Sequence, residues 1–345
     1  DHMQRQGLLI GVGSVGKHHA KIMAKRYEKL FLVDPAQDVA EWIKNNIDCD
    51  YEIFSSLSEA ISSLSPNAAT TTAVISHLAP DHFEAFTMLA DAGVRSIVCE
   101  KPISDSLLEG IAMVDRAERE KIRFTVGFPR RFLGTAKTIN EVSEFELGGP
   151  PSALIVHGGA KCLVTFGAHF VDLALDVFGS PPLRVAGFGS SQPINPRRKD
   201  LGYWEGSLSW EFSGNRYLSI SFTNQSSVQA LGVLYAPHGT MNLYPDGSVT
   251  MVKRNVEEIM SDPRVTRVGV CLDPPVSVIP PSSSSGLNPI LDEVENTSNL
   301  SYSSKLIVDS LEASIGGLIA AETKQVVEFP ISRAHPLYGK SWNVT

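Results

Sequence analysis

The sequence predicts a two-domain protein: an α/β N-terminal domain with a doubly wound parallel sheet, and an α+β C-terminal domain with a large, mostly antiparallel sheet. Three observations predict this fold class. Up to Gly127, short apolar runs alternate with helical segments, which is the βαβ rhythm of a parallel sheet. Beyond Gly127, most runs alternate apolar and polar residues and are separated by turn residues. The 345 residues correspond to about two domains at roughly 150 residues each.

Five strands are predicted in the first domain; each is a short apolar run, and helical segments separate them. In chain order the strands are residues 7–10, 30–33, 73–76, 96–100 and 124–127, and the helices are residues 15–26, 39–46, 81–92 and 104–120. Five parallel strands make up half or more of a doubly wound sheet.

The second domain is predicted to be rich in antiparallel strands. The clearest strands are residues 207–212, 217–223, 228–235 and 240–244, with helices at 167–178 and 303–323. Turn sequences such as Ser213-Gly214-Asn215 and Pro245-Asp246-Gly247 separate the strands. Residues 273–289 are rich in Pro and Ser and are therefore predicted to be an extended loop.

Composition and charge exclude several classes of protein. With 30 basic and 38 acidic side chains the net charge is −8, which argues against nucleic-acid binding. No apolar run approaches the ~18 residues of a membrane span, and no signal peptide precedes the first strand. The four cysteines form no CxxC pair, so neither a zinc site nor a disulfide framework is indicated. We therefore expect a cytoplasmic protein without a structural metal. Asp1 and His2 precede Met3 and resemble a cloning remnant, so the fold prediction leaves them out.

The segment after the first strand has the spacing of a dinucleotide-binding turn. In Gly11-Val12-Gly13-Ser14-Val15-Gly16, the first glycine permits a tight turn, the second admits a pyrophosphate, and the third allows close packing of helix and strand. The N-terminus of the following helix offers free N–H groups to an anion. A glycine-rich turn without a ligand is the alternative, but the preceding strand and following helix favour a dinucleotide.

Asp34, at the end of the second strand, predicts the type of dinucleotide. Its carboxylate can accept hydrogen bonds from both hydroxyls of an adenosine ribose and would repel a 2′-phosphate. This favours NAD over NADP. Asp34 and Pro35 could instead form only a turn.

Five motifs along the chain occur in the order and spacing of one protein family. They are residues 11–20, ending in His19-Ala20; residues 76–82; Glu100-Lys101-Pro102; Arg130-Arg131-Phe132; and Gly167-x-His169-x-x-Asp172-Leu173. The chain therefore resembles the glucose-fructose oxidoreductase and inositol dehydrogenase (Gfo/Idh/MocA) family along nearly its whole length.

The resemblance implies a fold, a chemistry and an assembly. It implies an N-terminal Rossmann domain, placed at residues 3–127, that binds NAD(P), and a substrate-binding and oligomerisation domain at residues 128–345. It implies NAD(P)-dependent oxidoreduction of a CH–OH group in a sugar, nucleotide sugar or cyclitol. It also implies a homodimer or homotetramer formed through the open face of the second sheet.

The resemblance also assigns catalytic roles. Lys101 orients the substrate hydroxyl, and His169 acts as general acid and base during hydride transfer. The carboxylate that the family has four residues before the histidine is replaced by Thr165, which cannot ionise at neutral pH. Asp172, one helical turn beyond His169, either supplies the missing charge or is merely solvated. His169, Asp172 and Asp176 share one stripe of the helix, which is either a solvent face or a cleft wall.

Other polar residues receive less specific assignments. Ser76, His77, His82 and Glu100 are expected near the cofactor, while Arg131 is either structural or next to the cofactor. Lys161 is expected either to bind a phosphate or carboxylate of the substrate or to be an ordinary surface lysine.

Two further functional hypotheses remain open on sequence alone. In one, NAD is used internally, as in the family's NAD-dependent glycosidases, and no net NADH accumulates. In the other, the chain binds NAD without catalysis, because Thr165 replaces the carboxylate.

Overall fold

The computed structural model describes residues 5–64, 66–192, 200–261, 272–282 and 286–344. These residues divide into two compact units. Unit 1 is drawn from Asp1–Leu133, Ser284–Leu311 and Pro336–Thr345, and unit 2 from Gly134–Ser283 and Glu312–His335. The predicted boundary at residue 127 lies near Leu133, where the chain first passes from unit 1 to unit 2. The chain then returns to unit 1 twice. Of the four cysteines, Cys49, Cys99 and Cys162 are free thiols, and Cys271 lies outside the described residues.

Unit 1 contains the predicted parallel sheet, with six strands. They are β1 (Gln6–Ile10), β2 (Lys29–Val33), β3 (Asp50–Phe54), β4 (Thr72–Ile75), β5 (Ser96–Cys99) and β6 (Arg123–Val126). Their order is β3-β2-β1-β4-β5-β6, so the direction of progression reverses between β1 and β4. In sheets of this kind, ligands bind beyond the carboxyl ends of the strands at such a reversal.

Helices connect these strands, as predicted. They are α1 (Ser14–Arg26), α2 (Gln37–Asn46), α3 (Leu57–Leu64), α4 (His82–Asp91) and α5 (Leu107–Glu120), followed by the short α6 (Pro129–Phe132). Strand β3 and helix α3 were not predicted. The sequence of β3, DYEIF, has no buried residue, so it lacks the apolar run that identifies a buried strand.

The prediction of an extended loop at residues 273–289 was wrong. This region contains strand β14 (Val276–Ile279), which pairs with β13 (Val249–Lys253), and the start of helix α10 (Leu287–Asn296). The helix begins after Gly286, whose φ of 72° suits a glycine. Its apolar face, formed by Leu287, Ile290, Leu291 and Val294, packs into the core of unit 1. The Pro-rich and Ser-rich composition predicted a loop, but pairing with β13 stabilises β14 and burial in the core stabilises α10.

Unit 2 is built on a nine-stranded, mostly antiparallel sheet, which confirms the predicted fold class. The remaining strands are β7 (Ala153–Gly158), β8 (Arg184–Gln192), β9 (Tyr203–Phe212), β10 (Arg216–Phe222), β11 (Leu231–Ala236), β12 (Gly239–Leu243) and β15 (Val327–Glu328). The order is β14-β13-β12-β11-β7-β10-β9-β8-β15, and β7 and β10 form its one parallel pair among the described strands. The remaining helices are α7 (Thr135–Glu146), α8 (Ala168–Phe178), α9 (Val256–Ser261) and α11 (Ser304–Thr323).

The two faces of this sheet differ in their side chains. One face is apolar and buried, and its Trp210 donates an indole N–H to the Ala313 carbonyl of α11 at 2.9 Å. On the opposite face, serines of β9 and β10 pair across the strands, including Ser207 with Ser221 at 2.7 Å. We call this second surface the open face. Within the described residues, no helix combines the length and apolar character that a membrane span needs.

Candidate functional site

The glycine turn between β1 and α1 has the geometry that its spacing predicts. Gly11 has a φ of +87°, and a Cβ there would lie 2.7 Å from the backbone nitrogen of His77. Its own N–H donates to the Val33 carbonyl at 2.8 Å. A Cβ at Gly16 would lie 2.1 Å from the Gly11 carbonyl oxygen. A side chain at either position would therefore clash with neighbouring protein atoms, whether or not a ligand is bound.

Gly13 differs, because a Cβ there would contact no protein atom within 4 Å. Gly13, Ser14 and Val15 are exposed at the start of α1, and no side chain caps the helix. The first N–H groups of α1 are thus available to an anion. Open space over Gly13 is what close approach of a pyrophosphate requires.

Asp34 follows β2 and lies beside this turn. Its Oδ2 accepts the Val12 N–H and its Oδ1 accepts the Ala36 N–H, each at 2.9 Å. Each carboxylate oxygen has a further lone pair, and the side chain is half-buried. The carboxylate is therefore fixed by the protein and still able to accept ribose hydroxyls.

The segment after β4 packs directly on the glycine turn. Ser76 donates its hydroxyl to the Gly11 carbonyl at 2.6 Å. The rings of His77 and His82 stack with centroids 5.5 Å apart. Burial and the neighbouring His82 lower the pKa of His77 to about 4, so its ring is neutral near neutral pH. Nδ1 of His77 is buried without a hydrogen-bond partner among the described residues.

The Glu100-Lys101-Pro102 turn follows β5, and its carboxylate is paired with a histidine of α1. Nε2 of His19 lies 2.6 Å from Oε1 of Glu100. Burial by itself raises the pKa of Glu100, but the hydrogen bond and charge of His19, together with the charge of Lys101, outweigh it and leave the pKa lowered. Glu100 is therefore ionised at neutral pH. His19 belongs to a motif quoted in the sequence analysis, but no role was predicted for it.

Arg131 of α6 has a structural contact. Its guanidinium lies 4.3 Å from the centroid of the Tyr302 ring, and Tyr302 is 1% exposed. Of the two predicted alternatives, this contact favours the structural one.

In unit 2, four predicted residues lie around the start of α8. The Phe166 ring lies 5.8 Å from the His169 ring and 4.9 Å from Nζ of Lys161. Thr165 precedes Phe166 and is half-buried, as His169 is. Lys161 and His169 thus contact one aromatic ring. The Ala160 carbonyl beside Lys161 accepts the Tyr203 hydroxyl at 2.8 Å, which fixes that loop.

Asp172 is 2% exposed, so the alternative of a solvated carboxylate is wrong for this residue. The stripe that it shares with His169 is not a solvent face at Asp172. Sequence periodicity identifies such a stripe but not what covers it.

The structure groups the predicted residues in two sets, one in each unit. In unit 1, those of the glycine turn, Asp34, Ser76, His77, His82 and Glu100 lie at the carboxyl edge of β1, β2, β4 and β5. In unit 2, Lys161, Thr165, His169 and Asp172 lie at or just before α8. Among the residues that the structure describes, no group of three or more His, Cys, Asp or Glu side chains is arranged to hold a metal.

Comparison with known proteins identifies the first unit. Residues 6–128 match the model of Gfo/Idh/MocA, described as an oxidoreductase family with an NAD-binding Rossmann fold. The N-terminal domain is thus similar to the NAD-binding domain of the Gfo/Idh/MocA family. This confirms the predicted resemblance over these residues and the prediction of NAD as cofactor. The open space over Gly13 and the fixed Asp34 carboxylate fit that cofactor.

A curated relative matches part of the chain. An uncharacterized oxidoreductase of Schizosaccharomyces pombe is 29% identical over 141 residues, which covers 36% of this chain and 38% of that protein. The chain therefore matches well under half of the length of this relative.

Solved structures resemble this chain over nearly its whole length. An NAD-binding protein from Listeria innocua has a TM-score of 0.72 at 19% identity and covers 94% of this chain and 97% of its own. A levoglucosan dehydrogenase in complex with NADH and levoglucosan has a TM-score of 0.71 at 16% identity, with 94% and 99% covered. A UDP-N-acetylglucosamine 3-dehydrogenase from Acidithiobacillus ferrooxidans has a TM-score of 0.68 at 15% identity, with 92% and 98% covered. These likenesses establish the fold.

Proposed function

We propose that this protein is an NAD-dependent dehydrogenase or ketoreductase that acts on a CH–OH or ketone carbon of a sugar, a nucleotide sugar or a cyclitol. The observation that carries the proposal is the position of Lys101. Lys101 is the second residue after β5, at the carboxyl edge of the NAD-binding sheet, and the preceding Glu100 pairs with His19 of the helix that begins at the glycine turn. Levoglucosan and UDP-N-acetylglucosamine, named for two proteins of the same fold, support a carbohydrate substrate.

Bound NAD supplies the hydride acceptor for oxidation and, in its reduced form, the hydride donor for reduction. In this proposal the Lys101 ammonium donates a hydrogen bond to the reacting oxygen of the substrate and stabilises negative charge there. His169 accepts the hydroxyl proton at an imidazole nitrogen during oxidation and returns it during reduction. An imidazole suits this transfer because its ordinary pKa is close to neutral pH.

The residues around His169 are proposed to bind the substrate. Thr165 offers a hydroxyl in place of the family's carboxylate, and the buried Asp172 supplies negative charge one helical turn beyond His169. Lys161, held over the Phe166 ring, binds an anionic group such as a sugar carboxylate or phosphate. These roles require that loss of Lys161 weaken binding of charged sugars more than that of neutral ones.

The cofactor contacts are proposed to follow the predicted set, with NAD preferred over NADP because of the Asp34 carboxylate. The backbone of Gly11, Gly13, Ser14, Val15 and Gly16 receives the pyrophosphate. The neutral ring of His77, with its unpaired Nδ1, lies on the same edge and offers a contact to the cofactor.

We also propose that the open face joins copies of the chain into a homodimer or homotetramer. Exposed aromatic side chains flank its paired serines: Tyr217 and Tyr235 are both in register with Ala153, and Phe188 with Ser207. Phe188 is 63% exposed.

The proposal is tested with a panel of neutral sugars, sugar acids, nucleotide sugars and cyclitols, with NADH absorbance as the readout. We expect turnover of at least one compound, and a loss in Lys101→Ala and in His169→Ala of about 10²–10⁴-fold, the usual contribution of a proton-transfer group. NADH affinity should stay near the wild-type value in His169→Ala. Wild-type rates in both variants would contradict the roles, and NADH binding without turnover of any compound would favour a non-catalytic protein.

A further inference from the structure

Two buried histidines contact the Glu100-Lys101-Pro102 turn from opposite ends. His19 of α1 is 5% exposed and contacts the side chain of Glu100. His82 of α4 is 1% exposed and contacts the backbone of Pro102. The turn that carries Lys101 is therefore held by side chains of two different helices.

At the first end, three groups fix the Glu100 carboxylate. Oε1 lies 2.6 Å from His19, and Oε2 accepts the Lys101 N–H at 3.3 Å. A Cβ at Gly127 would lie 3.0 Å from Oε1, so the end of β6 closes the third side. Among the described residues Nδ1 of His19 has no hydrogen-bond partner. Glu100 is therefore the one described partner that orients the His19 ring.

At the second end, His82 bridges the turn to the segment after β4. Its Nε2 lies 2.9 Å from the His77 carbonyl oxygen and its Nδ1 lies 3.0 Å from the Pro102 carbonyl oxygen. Because the ring is fully buried, it fills the space between these two segments and limits movement of the turn.

Removing His19 would leave Glu100 a buried carboxylate without its main partner. An uncompensated buried charge is costly, so the side chain would move toward water or take up a proton. Either change alters the backbone that carries Lys101. The described titratable groups that interact with Glu100 include His19, Lys101, His82 and Cys99, and His19 lies 2.6 Å from Oε1 of Glu100.

We propose that His19 is a positioning residue: by fixing Glu100 from the helix that begins at the glycine turn, it sets the place of Lys101 relative to bound NAD. This rests on the proposed function for the importance of Lys101, but its geometry lies wholly within the NAD-binding unit. Replacing His19 should therefore change how well bound NADH protects Lys101 from a reagent.

The experiment measures the rate at which acetic anhydride acylates Lys101, followed by peptide mass spectrometry, with and without saturating NADH. NADH should protect Lys101 in the wild type, because ligands of such sheets cover the carboxyl ends of the strands. In His19→Leu the protection should fall about tenfold, as expected for loss of one charge-assisted hydrogen bond. NADH affinity, measured by fluorescence, should stay within about threefold, since His19 is not a proposed NAD contact.

Three further variants test whether a loss of protection comes from the contact between His19 and Glu100. His19→Gln keeps an N–H donor and should restore most of the protection. His18→Gln changes the exposed neighbouring histidine and should behave as the wild type. Glu100→Ala should lose at least as much protection as His19→Leu, because it also removes the acceptor of the Lys101 N–H. The double variant should lose no more than Glu100→Ala, because both single variants remove the contact between His19 and Glu100.

Unchanged protection in His19→Leu, or additive losses in the double variant, would overturn the proposal. If His19→Leu does not fold, His19→Gln and Glu100→Ala decide: similar protection in Glu100→Ala and the wild type would overturn it. None of these measurements needs a sugar substrate. Failure to find a substrate would therefore count against the proposed function and leave this test intact.

Discussion

At the level of single residues, local spacing predicted the parts of the site that depend on backbone conformation. Gly11 and Gly16 leave no room for a side chain, and Gly13 borders open space. The His19 contact could not be predicted in the same way, because it joins residues 81 positions apart. Sequence periodicity likewise placed Asp172 on a stripe but could not show that the stripe is buried there.

Asp34 supports a prediction about the choice of cofactor. Asp34→Asn removes the charge that repels a 2′-phosphate but keeps an acceptor for the Val12 or Ala36 N–H. We expect NADH affinity to fall and NADPH affinity to rise, so that their ratio changes by at least about tenfold, the value of one charged hydrogen bond. Fluorescence titration with both dinucleotides measures it. Asp38→Asn, an exposed change on α2, is the control; an unchanged ratio in Asp34→Asn would exclude Asp34 from the ribose site.

At the level of elements, the sequence predicted the buried strands and long helices and missed those whose pattern is weak. Strand β3 lies at a sheet edge and exposes most of its side chains. Helix α10 is short and follows a Pro-rich and Ser-rich segment. Its place in unit 1 depends on apolar contacts with strands nearly 200 residues or more away in sequence, which no local pattern encodes.

Glu295 at the end of α10 accepts hydrogen bonds from four groups of unit 1. Nη2 atoms of Arg5 and Arg26 lie 2.7 and 2.6 Å away, Thr72 donates at 3.0 Å, and the Tyr27 hydroxyl also donates. Burial alone raises the pKa of Glu295, but the hydrogen bonds of Arg26 and Tyr27 and the charge of Arg26 outweigh it, so the pKa is lowered.

Because the folded pKa of Glu295 is lowered, its contribution to stability is present above the unfolded value of about 4.3 and is lost as pH falls through the folded pKa. Glu295→Gln should therefore reduce the free energy of unfolding by about 3 kcal/mol near neutral pH. The difference from wild type should shrink below about pH 4.

Denaturant titration across pH measures this difference. Asp292→Asn is the matched control, because Asp292 pairs with the same Arg26 but its side chain is 64% exposed, and its loss should cost less than about 1 kcal/mol. A cost for Glu295→Gln that does not vary with pH would show that the carboxylate charge does not stabilise α10.

At the level of the whole molecule, length predicted about two domains, and the described residues divide into two units whose composition chain order did not reveal. Unit 1 takes segments from three parts of the chain, because α10 and the C-terminal segment pack there. In the C-terminal segment, the Asn343 N–H donates to Oδ2 of Asp105 at 2.8 Å. The open face of unit 2 likewise depends on contacts between distant parts of the chain, because it forms only when the nine strands pair.

Assembly through the open face gives a prediction at this scale. Phe188→Glu places a charge on the open face and should shift sedimentation velocity from an oligomer toward the monomer, because an unpaired charge is costly to bury. Phe145→Glu is the control, since Phe145 lies on α7 and is 85% exposed. An oligomer that withstands Phe188→Glu as well as it withstands Phe145→Glu would place the interface elsewhere.

Hydride transfer between NAD and a carbohydrate, with Lys101 needed for the reaction, is the activity proposed for this chain. It is tested by the single-turnover rate of NADH formation with the best substrate of the panel, compared between wild type and Lys101→Ala at saturating NAD. We predict a measurable rate in the wild type and a rate about 10²–10⁴-fold lower in the variant. Equal rates in the two proteins would exclude Lys101 from the reaction.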